Sequence, residues 1–226
     1  MNIVSVLKKV PIFENLNDSD LKEIEKIFSE KKCEKNEHIF SETDEGNKFY
    51  IVAEGKVKIY KMSPSGQVKT LDYLEKGDFF GEMALLEKSK RSAYALALED
   101  TRLYVIKHRD FQEFLVSKPK TLLTISKTIC SRLRKADREI EMFAFHKVRD
   151  RLIMCLVAQA DRNAAKDKDK PLQIDITHQE LSELVGTARE VISRNLKDMK
   201  EKKLIEIDKT GIVIPSLSKL RDKLAG

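Results

Sequence analysis

The sequence predicts an α+β chain in three parts: a β-rich roll over residues 1–117, a long helix over 118–145, and a second domain over 146–226 in which a helix pair precedes a short hairpin. Three observations predict it. Short β-branched and aromatic runs, separated by turn residues, fill the stretch from about Lys32 to Ile106. From Pro119 to Phe145 there is no glycine and no further proline, and apolar residues recur at three- and four-residue spacing. Beyond residue 171, two helical patterns flank Gly186, and a turn at Asp208–Gly211 joins two short apolar runs.

Asn17-Asp18-Ser19-Asp20 offers N-cap side chains to a short amphipathic helix marked by Leu21, Ile24, Ile27 and Phe28. The strand runs of the roll include Phe49–Val52, Val57–Tyr60 and Leu103–Ile106, punctuated by Glu45-Gly46-Asn47, Glu54-Gly55, Ser63-Pro64-Ser65-Gly66 and Lys76-Gly77-Asp78. Val57 and Ile59 alternate with polar residues, as a half-buried strand requires. Along the long helix, Leu122, Ser126, Ile129, Leu133, Ala136, Ile140 and Phe143 form one continuous stripe. A helix of that length spans roughly 40 Å, more than a small domain needs for its own core. The stripe therefore predicts pairing with a second copy as a homodimer. A further helix from Lys147 to about Asp161 carries Leu152, Ile153, Leu156 and Val157, and Asn163–Pro171 reads as an exposed polar loop. The hairpin Leu204–Ile207 and Ile212–Ile214 after the helix pair has the look of a wing.

Composition narrows the function classes. Of 226 residues, 41% are hydrophobic and 35% charged, enough apolar content for a core. No apolar run approaches the roughly 18 residues of a membrane span. The start, Met1–Lys9, lacks the basic onset and long apolar stretch of a signal peptide, so the expectation is a soluble, cytoplasmic chain with no membrane partner. Cys33, Cys130 and Cys155 are too far apart for a disulfide framework or a Cys-x-x-Cys pair, and His38, His108, His146 and His178 are equally scattered, so no metal site is expected. Residues 1–117 hold 19 basic and 21 acidic side chains, residues 118–145 hold 7 and 3, and residues 146–226 hold 17 and 13. An acidic front and a basic back direct a polyanion to the C-terminal half. No phosphate-binding Gly-x-x-x-x-Gly-Lys loop and no Gly-x-Ser-x-Gly elbow is present, and an enzyme is not expected.

The stretch Thr177–Lys197 carries the first chemistry. Thr177 caps a helix with Glu180 at capping-box distance, Leu181, Leu184 and Val185 give that helix its apolar face, and Gly186 supplies a tight turn. Ile192, Leu196 and Met199 anchor the second helix and leave Glu190, Ser193, Arg194 and Lys197 on another arc, with Arg189 in the first turn. Arg189 and Arg194 each offer a bidentate fork to guanine O6 and N7, and Glu190 accepts from a cytosine amino group. Thr177, Gln179, Ser193 and Lys197 suit phosphate contacts. The pattern is that of a helix-turn-helix reading double-stranded DNA in the major groove. Its bland counterpart is an ordinary helical hairpin with a charged face.

In the β-rich half, Gly77–Leu86 precedes Lys90-Arg91-Ser92-Ala93. A glycine followed by a helical turn leaves free N–H groups aimed at one point, which suits an anion. Arg91 adds a charge-assisted clamp and Ser92 a hydroxyl donor. Phosphate would repel Glu82, whose fitting task is to accept from a ribose 2′-hydroxyl.

Thr177–Lys197 closely resembles the helix-turn-helix of the cyclic-AMP receptor protein/fumarate-nitrate regulator family, with the Arg-Glu-x-x-x-Arg pattern intact as Arg189, Glu190 and Arg194. Gly81, Glu82, Ala84, Leu86, Arg91 and Ser92 are similar to the family's phosphate-binding cassette. The resemblance implies a cyclic-nucleotide-binding roll, a dimerisation helix and a winged helix-turn-helix, with half-sites of the TGTGA type and RNA polymerase as a further partner. It places Phe80, Gly81, Glu82, Met83, Ala84, Arg91 and Ser92 around the nucleotide. Where the family's cyclic-AMP-responsive members carry a Thr-Ser pair on the long helix, this chain has Ala136 and Asp137, and an ionised Asp137 only accepts. Asp137 can receive an adenine amino group or the N1–H and N2–H of a guanine, so cyclic AMP comes first and cyclic GMP or no nucleotide stays open. The expected mechanism is a ligand contact near Asp137 that biases the paired helices and a hinge at Phe143–Lys147. On this reading Arg91→Ala abolishes the response to nucleotide and leaves the fold intact. The alternatives are a ligand-independent DNA-binding regulator and a cyclic-nucleotide-binding regulatory subunit.

Overall fold

Gly55 shows how the chain builds its first layers. It sits at φ +93°, and a Cβ there would lie 2.7 Å from the Thr101 Cα and 2.8 Å from the Asp100 carbonyl oxygen. Only glycine fits this turn, where the chain leaves β3 (Lys48–Glu54) and enters β4 (Val57–Met62) in a different sheet. The computed structural model describes residues 3–83, 89–166, 172–208 and 211–224. It divides into two compact units, residues 1–61 with 70–134 and residues 62–69 with 135–226.

The first unit carries two four-stranded antiparallel sheets. One runs β1-β8-β3-β6, from β1 (Ser29–Cys33), β8 (Thr101–Lys107), β3 and β6 (Phe79–Phe80). The other runs β2-β7-β4-β5, from β2 (His38–Phe40), β7 (Tyr94–Ala97), β4 and β5 (Val68–Leu74). Val57, Ala95 and Ala97 from the second sheet meet Val52, Phe80 and Leu103 from the first in one buried cluster. A second cluster joins α1 (Ile3–Leu7) and α2 (Asp18–Glu25) to β3, β8 and α3 (His108–Ser117) through Leu7, Phe13, Leu21, Phe49, Ile106 and Phe111. The expected cap of α2 is present as a capping box between Asn17 and Asp20, but the helix ends at Glu25, and Ile27 and Phe28 follow it as partly buried residues.

The long helix is α4 (Pro119–Phe145). One side, Thr121, Thr124 and Ile125, is buried in the first unit. The predicted stripe is open only in part: Leu133 is 61% and Ile140 66% exposed, whereas Ile129 packs against the core of the first unit.

The second unit packs α5 (Val148–Lys166), α6 (His178–Val185), α7 (Arg189–Glu201) and α8 (Leu217–Arg221) around Leu152, Leu156, Leu181, Ile192, Leu196 and Met199. β10 (Glu206–Asp208) and β11 (Gly211–Val213) form the predicted hairpin, and β9 (Gln173–Ile174) adds a third strand next to β11. Helix α5 corrects the expectation of a loop from Asn163: helix-favouring Ala164, Ala165 and Lys166 carry it on to Lys166, and residues 167–171 lie outside the described residues. The Thr177–Glu180 capping box forms as expected. Thr177→Ala is expected to lower the unfolding free energy by about 1 kcal/mol, read as a lower denaturant midpoint at unchanged slope. Among the described residues no helix is long and apolar enough to cross a membrane.

Candidate functional site

In the first unit the cassette forms where β6 ends. Gly81 follows Phe80 at φ +84°, and a Cβ there would stand 2.7 Å from Arg91 Nη1 and 3.0 Å from the Lys48 carbonyl oxygen. The missing side chain lets Arg91 lie against the backbone. Its Nη1 donates to the Gly81 carbonyl at 3.2 Å and its Nη2 to the Lys48 carbonyl at 2.8 Å. The guanidinium sits 4.3 Å from the Phe40 ring centroid and 5.5 Å from that of Tyr50, over an aromatic cluster completed by Phe80, 5.0 Å from Tyr50. Arg91 is only 4% exposed. Burial holds its guanidinium below the usual range, opposed by the Tyr50 hydroxyl and by the carboxylates of Asp44 and Glu82. The same burial raises the Tyr50 hydroxyl, opposed mainly by the Arg91 charge.

Glu82 is 2% exposed, and its Oε1 is paired with Arg132 Nη1 of α4. Arg132 Nη2 also donates to the Phe79 carbonyl at 2.6 Å. Sequence reading missed Arg132, because nothing in the spacing of α4 distinguishes it from the other arginines of that helix. Two buried atoms at this site lack a hydrogen-bond partner among the described residues, Glu82 Oε2 and Arg91 Nε. Met83 is exposed, and the exposed Ser92 hydroxyl contacts its sulfur at 3.7 Å. Ala84 lies outside the described residues, and Asp137 is an exposed residue of the second unit.

In the second unit, Gly186 takes the left-handed conformation at φ 72° and ends α6, as its place in the sequence predicted. Exposed Arg189, Glu190, Arg194 and Lys197 line α7, away from buried Ile192, Leu196 and Met199. The polar residues expected at phosphates already have protein partners. The Thr177 hydroxyl donates to Glu180 Oε2 at 2.8 Å, Gln179 Nε2 donates to Glu183 Oε1 at 3.1 Å, and the Ser193 hydroxyl donates to the Arg189 carbonyl at 3.1 Å. His178, which the sequence left unassigned, places Nδ1 2.9 Å from the Ser193 hydroxyl oxygen.

The turn has a second support that sequence reading missed. A Cβ on Gly186 would lie 2.7 Å from Phe143 Cζ. Arg151 lies over that ring at 4.6 Å and donates Nε to the Val185 carbonyl at 3.3 Å. Lys69 donates to the Leu184 carbonyl at 2.7 Å and pairs with Glu139 at 3.2 Å. Two cations thus take carbonyls that the end of α6 leaves open, the favourable sign for a helix C-terminus. Phe143, expected in the stripe of α4, has its ring against this turn.

Comparison with known proteins identifies both domains. Residues 30–118 match the cyclic nucleotide-binding domain family, and residues 150–223 match the Crp-like helix-turn-helix domain family. The chain is 31% identical to the cyclic AMP receptor protein of Thermus thermophilus, over 89% of this chain and 90% of that one. It is 29% identical to the anaerobic regulatory protein of Bacillus subtilis, over 95% of this chain and 90% of that one. Among solved structures, the c-di-GMP responsive global regulator CLP of Xanthomonas campestris shares the fold, with a TM-score of 0.80 at 23% identity, over 88% of this chain and 100% of that one.

Proposed function

Because the chain belongs to the cyclic-AMP receptor protein/fumarate-nitrate regulator family of transcription regulators, with a cyclic-nucleotide-binding domain and a helix-turn-helix DNA-binding domain, we propose that it acts in the cytoplasm as a homodimer whose grip on a DNA palindrome is set by a cyclic nucleotide, cyclic AMP first. The relative from Thermus thermophilus, named for cyclic AMP, supports that order. One observation carries the ligand reading. A carboxylate and a guanidinium buried side by side each keep an atom without a partner among the described residues, Glu82 Oε2 and Arg91 Nε. Native interiors leave few such atoms unsatisfied. A ribose hydroxyl supplies the donor Glu82 lacks, and a phosphodiester oxygen supplies the acceptor Arg91 lacks. The family resemblance assigns Phe80, Gly81, Met83, Ala84 and Ser92 to the rest of the nucleotide and Asp137 to its base.

On the DNA side, Arg189, Glu190 and Arg194 read a TGTGA-like half-site, and Lys197, with Thr177 and Gln179, faces phosphates; Ser193, expected beside them, spends its hydroxyl proton on the Arg189 carbonyl instead. RNA polymerase is the further partner. The open stripe of α4 supports the dimer: Leu122, Leu133 and Ile140 are large apolar side chains on the surface of a lone chain. Leu133→Glu is expected to turn the dimer into a monomer in sedimentation velocity and to remove binding to a two-half-site duplex. A variant that stays dimeric rules out this face.

A second reading, a regulator that needs no ligand, has its own support. Both terminal nitrogens of Arg91 already donate to carbonyls, and Glu82 already has Arg132. One experiment separates the two: DNA affinity measured at a fixed, stated salt with and without cyclic AMP and cyclic GMP. Tenfold or greater tightening by one nucleotide establishes the gated reading, and an unchanged affinity with both establishes the other. The burial of Arg91 also corrects the expectation that Arg91→Ala spares the fold, because it would empty a packed site and free two carbonyls. Ser92→Ala, on the surface, is the cleaner test of the cassette.

A further inference from the structure

We propose that His178 is a positioning residue for the DNA-reading helix, acting through Ser193; this rests on the helix-turn-helix reading above and adds a residue to it. Ser193 has one hydroxyl proton and two neighbours, the Arg189 carbonyl oxygen at 3.1 Å and His178 Nδ1 at 2.9 Å. A carbonyl only accepts, so the hydroxyl proton goes to Arg189. The imidazole then donates its own Nδ1–H to the Ser193 oxygen. The result is a directed chain, His178 Nδ1–H to Ser193 Oγ–H to the Arg189 carbonyl.

Its ends explain its use. His178 is the first residue of α6, and Arg189 is the first residue of α7, whose N-cap residue, Ala188, has no side-chain cap. The chain ties the start of α6 to the turn of α7 that carries Arg189 and Glu190, with Arg194 beside Ser193. The apolar contacts of Ile192, Leu196 and Met199 hold α7 in place but allow small slides and rotations, which a directional hydrogen bond resists. A bidentate arginine fork is intolerant of such slides. His178 therefore acts on base discrimination through helix register. It also removes Ser193 from the set of free phosphate donors.

The test uses the full-length protein and two readouts. The first needs no DNA: imidazole 15N chemical shifts should show His178 protonated at Nδ1 in the wild type, with that preference lost in Ser193→Ala. The second is affinity for a palindrome of TGTGA-type half-sites against a scrambled duplex. His178→Ala should lose about tenfold in that ratio with an unchanged melting temperature. His178→Asn should recover it, because its amide N–H stands where Nδ1–H stood. The double variant His178→Ala/Ser193→Ala should be no worse than either single one. An Nε2–H tautomer in the wild type, additive losses, or failure of Asn to rescue overturns the proposal. A wild type that shows the Nδ1–H tautomer but prefers no duplex sinks the DNA-reading assignment instead and leaves the His178–Ser193 tie in place.

Discussion

Arg132→Ala should destabilise the first unit by about 3 kcal/mol, whereas Glu82→Gln should cost roughly 1 kcal/mol. The asymmetry follows from where the two partners sit. The Glu82 side chain is 3% exposed and that of Arg132 is 35% exposed. Deleting the arginine takes from a buried carboxylate the cation paired with it, and it also frees the Phe79 carbonyl that Arg132 Nη2 holds. Removing the charge of Glu82 leaves a guanidinium that still has that carbonyl and reaches solvent. The amide keeps an oxygen for Arg132 to donate to. Guanidinium chloride unfolding, followed by a probe in the β-rich unit, checks both values. Equal losses would mean that the pair is no more than a surface contact. Arg132→Lys should fall between, since lysine restores the charge without the planar fork that reaches both oxygens. The same pair bears on the effector. Whatever binds Glu82 competes with Arg132 or joins it, so Glu82→Gln should weaken nucleotide binding far more than it weakens the fold.

The architecture was legible because each of its signals is local. Gly186 stops a helix, and Thr177 with Glu180 starts one; the structure bears out both. Val57 and Ile59 lie on the expected strand, but the alternation is broken, because Tyr60 is buried and Ile59 is only half-buried. The stripe of α4 was legible for the same reason, as a period along one helix. The contacts that tie each site together were not, because they join residues far apart in sequence whose types are common in this chain. Arg132 meets Glu82 across 50 positions, Lys69 meets Leu184 across 115, and Arg91 meets Lys48 across 43. In a chain with 43 lysines and arginines, nothing picks out Arg132 or Lys69, and the motif that picks out Arg91 does not name Lys48 as its partner. The two-residue β9 was missed for another reason: it is too short for periodicity to stand out. Phe143 shows the limit from the other side. Its spacing assigned it to the apolar stripe, but the absence of a side chain at Gly186 opens a notch that its ring fills.

Arg194→Ala and Lys197→Ala should fail in different ways, and the difference tests the proposed docking of α7. Both side chains are exposed on that helix, on the arc that Ile192, Leu196 and Met199 leave free. A guanidinium forked onto a guanine makes a contact that the wrong base cannot replace. Arg194→Ala should therefore cost about 1–3 kcal/mol on the preferred sequence and nearly nothing on one altered at that base pair. The preference at that single position should flatten while the others stay. Lys197 offers a mobile point charge to the backbone, so Lys197→Ala should weaken every duplex alike and reduce the salt slope by roughly one unit. Anisotropy titrations at three salt concentrations, on a half-site library varied one base pair at a time, give both quantities together. If Arg194→Ala weakens all sequences equally, α7 does not lie in the groove with Arg194 at a base edge. The half-site assignment then fails even though the helix-turn-helix stands. Because two copies of α7 read one palindrome in the proposed dimer, each per-site loss should count twice on a symmetric duplex. It should count once on a duplex with a single altered half-site, so the ratio of the two losses reports the dimer independently of sedimentation.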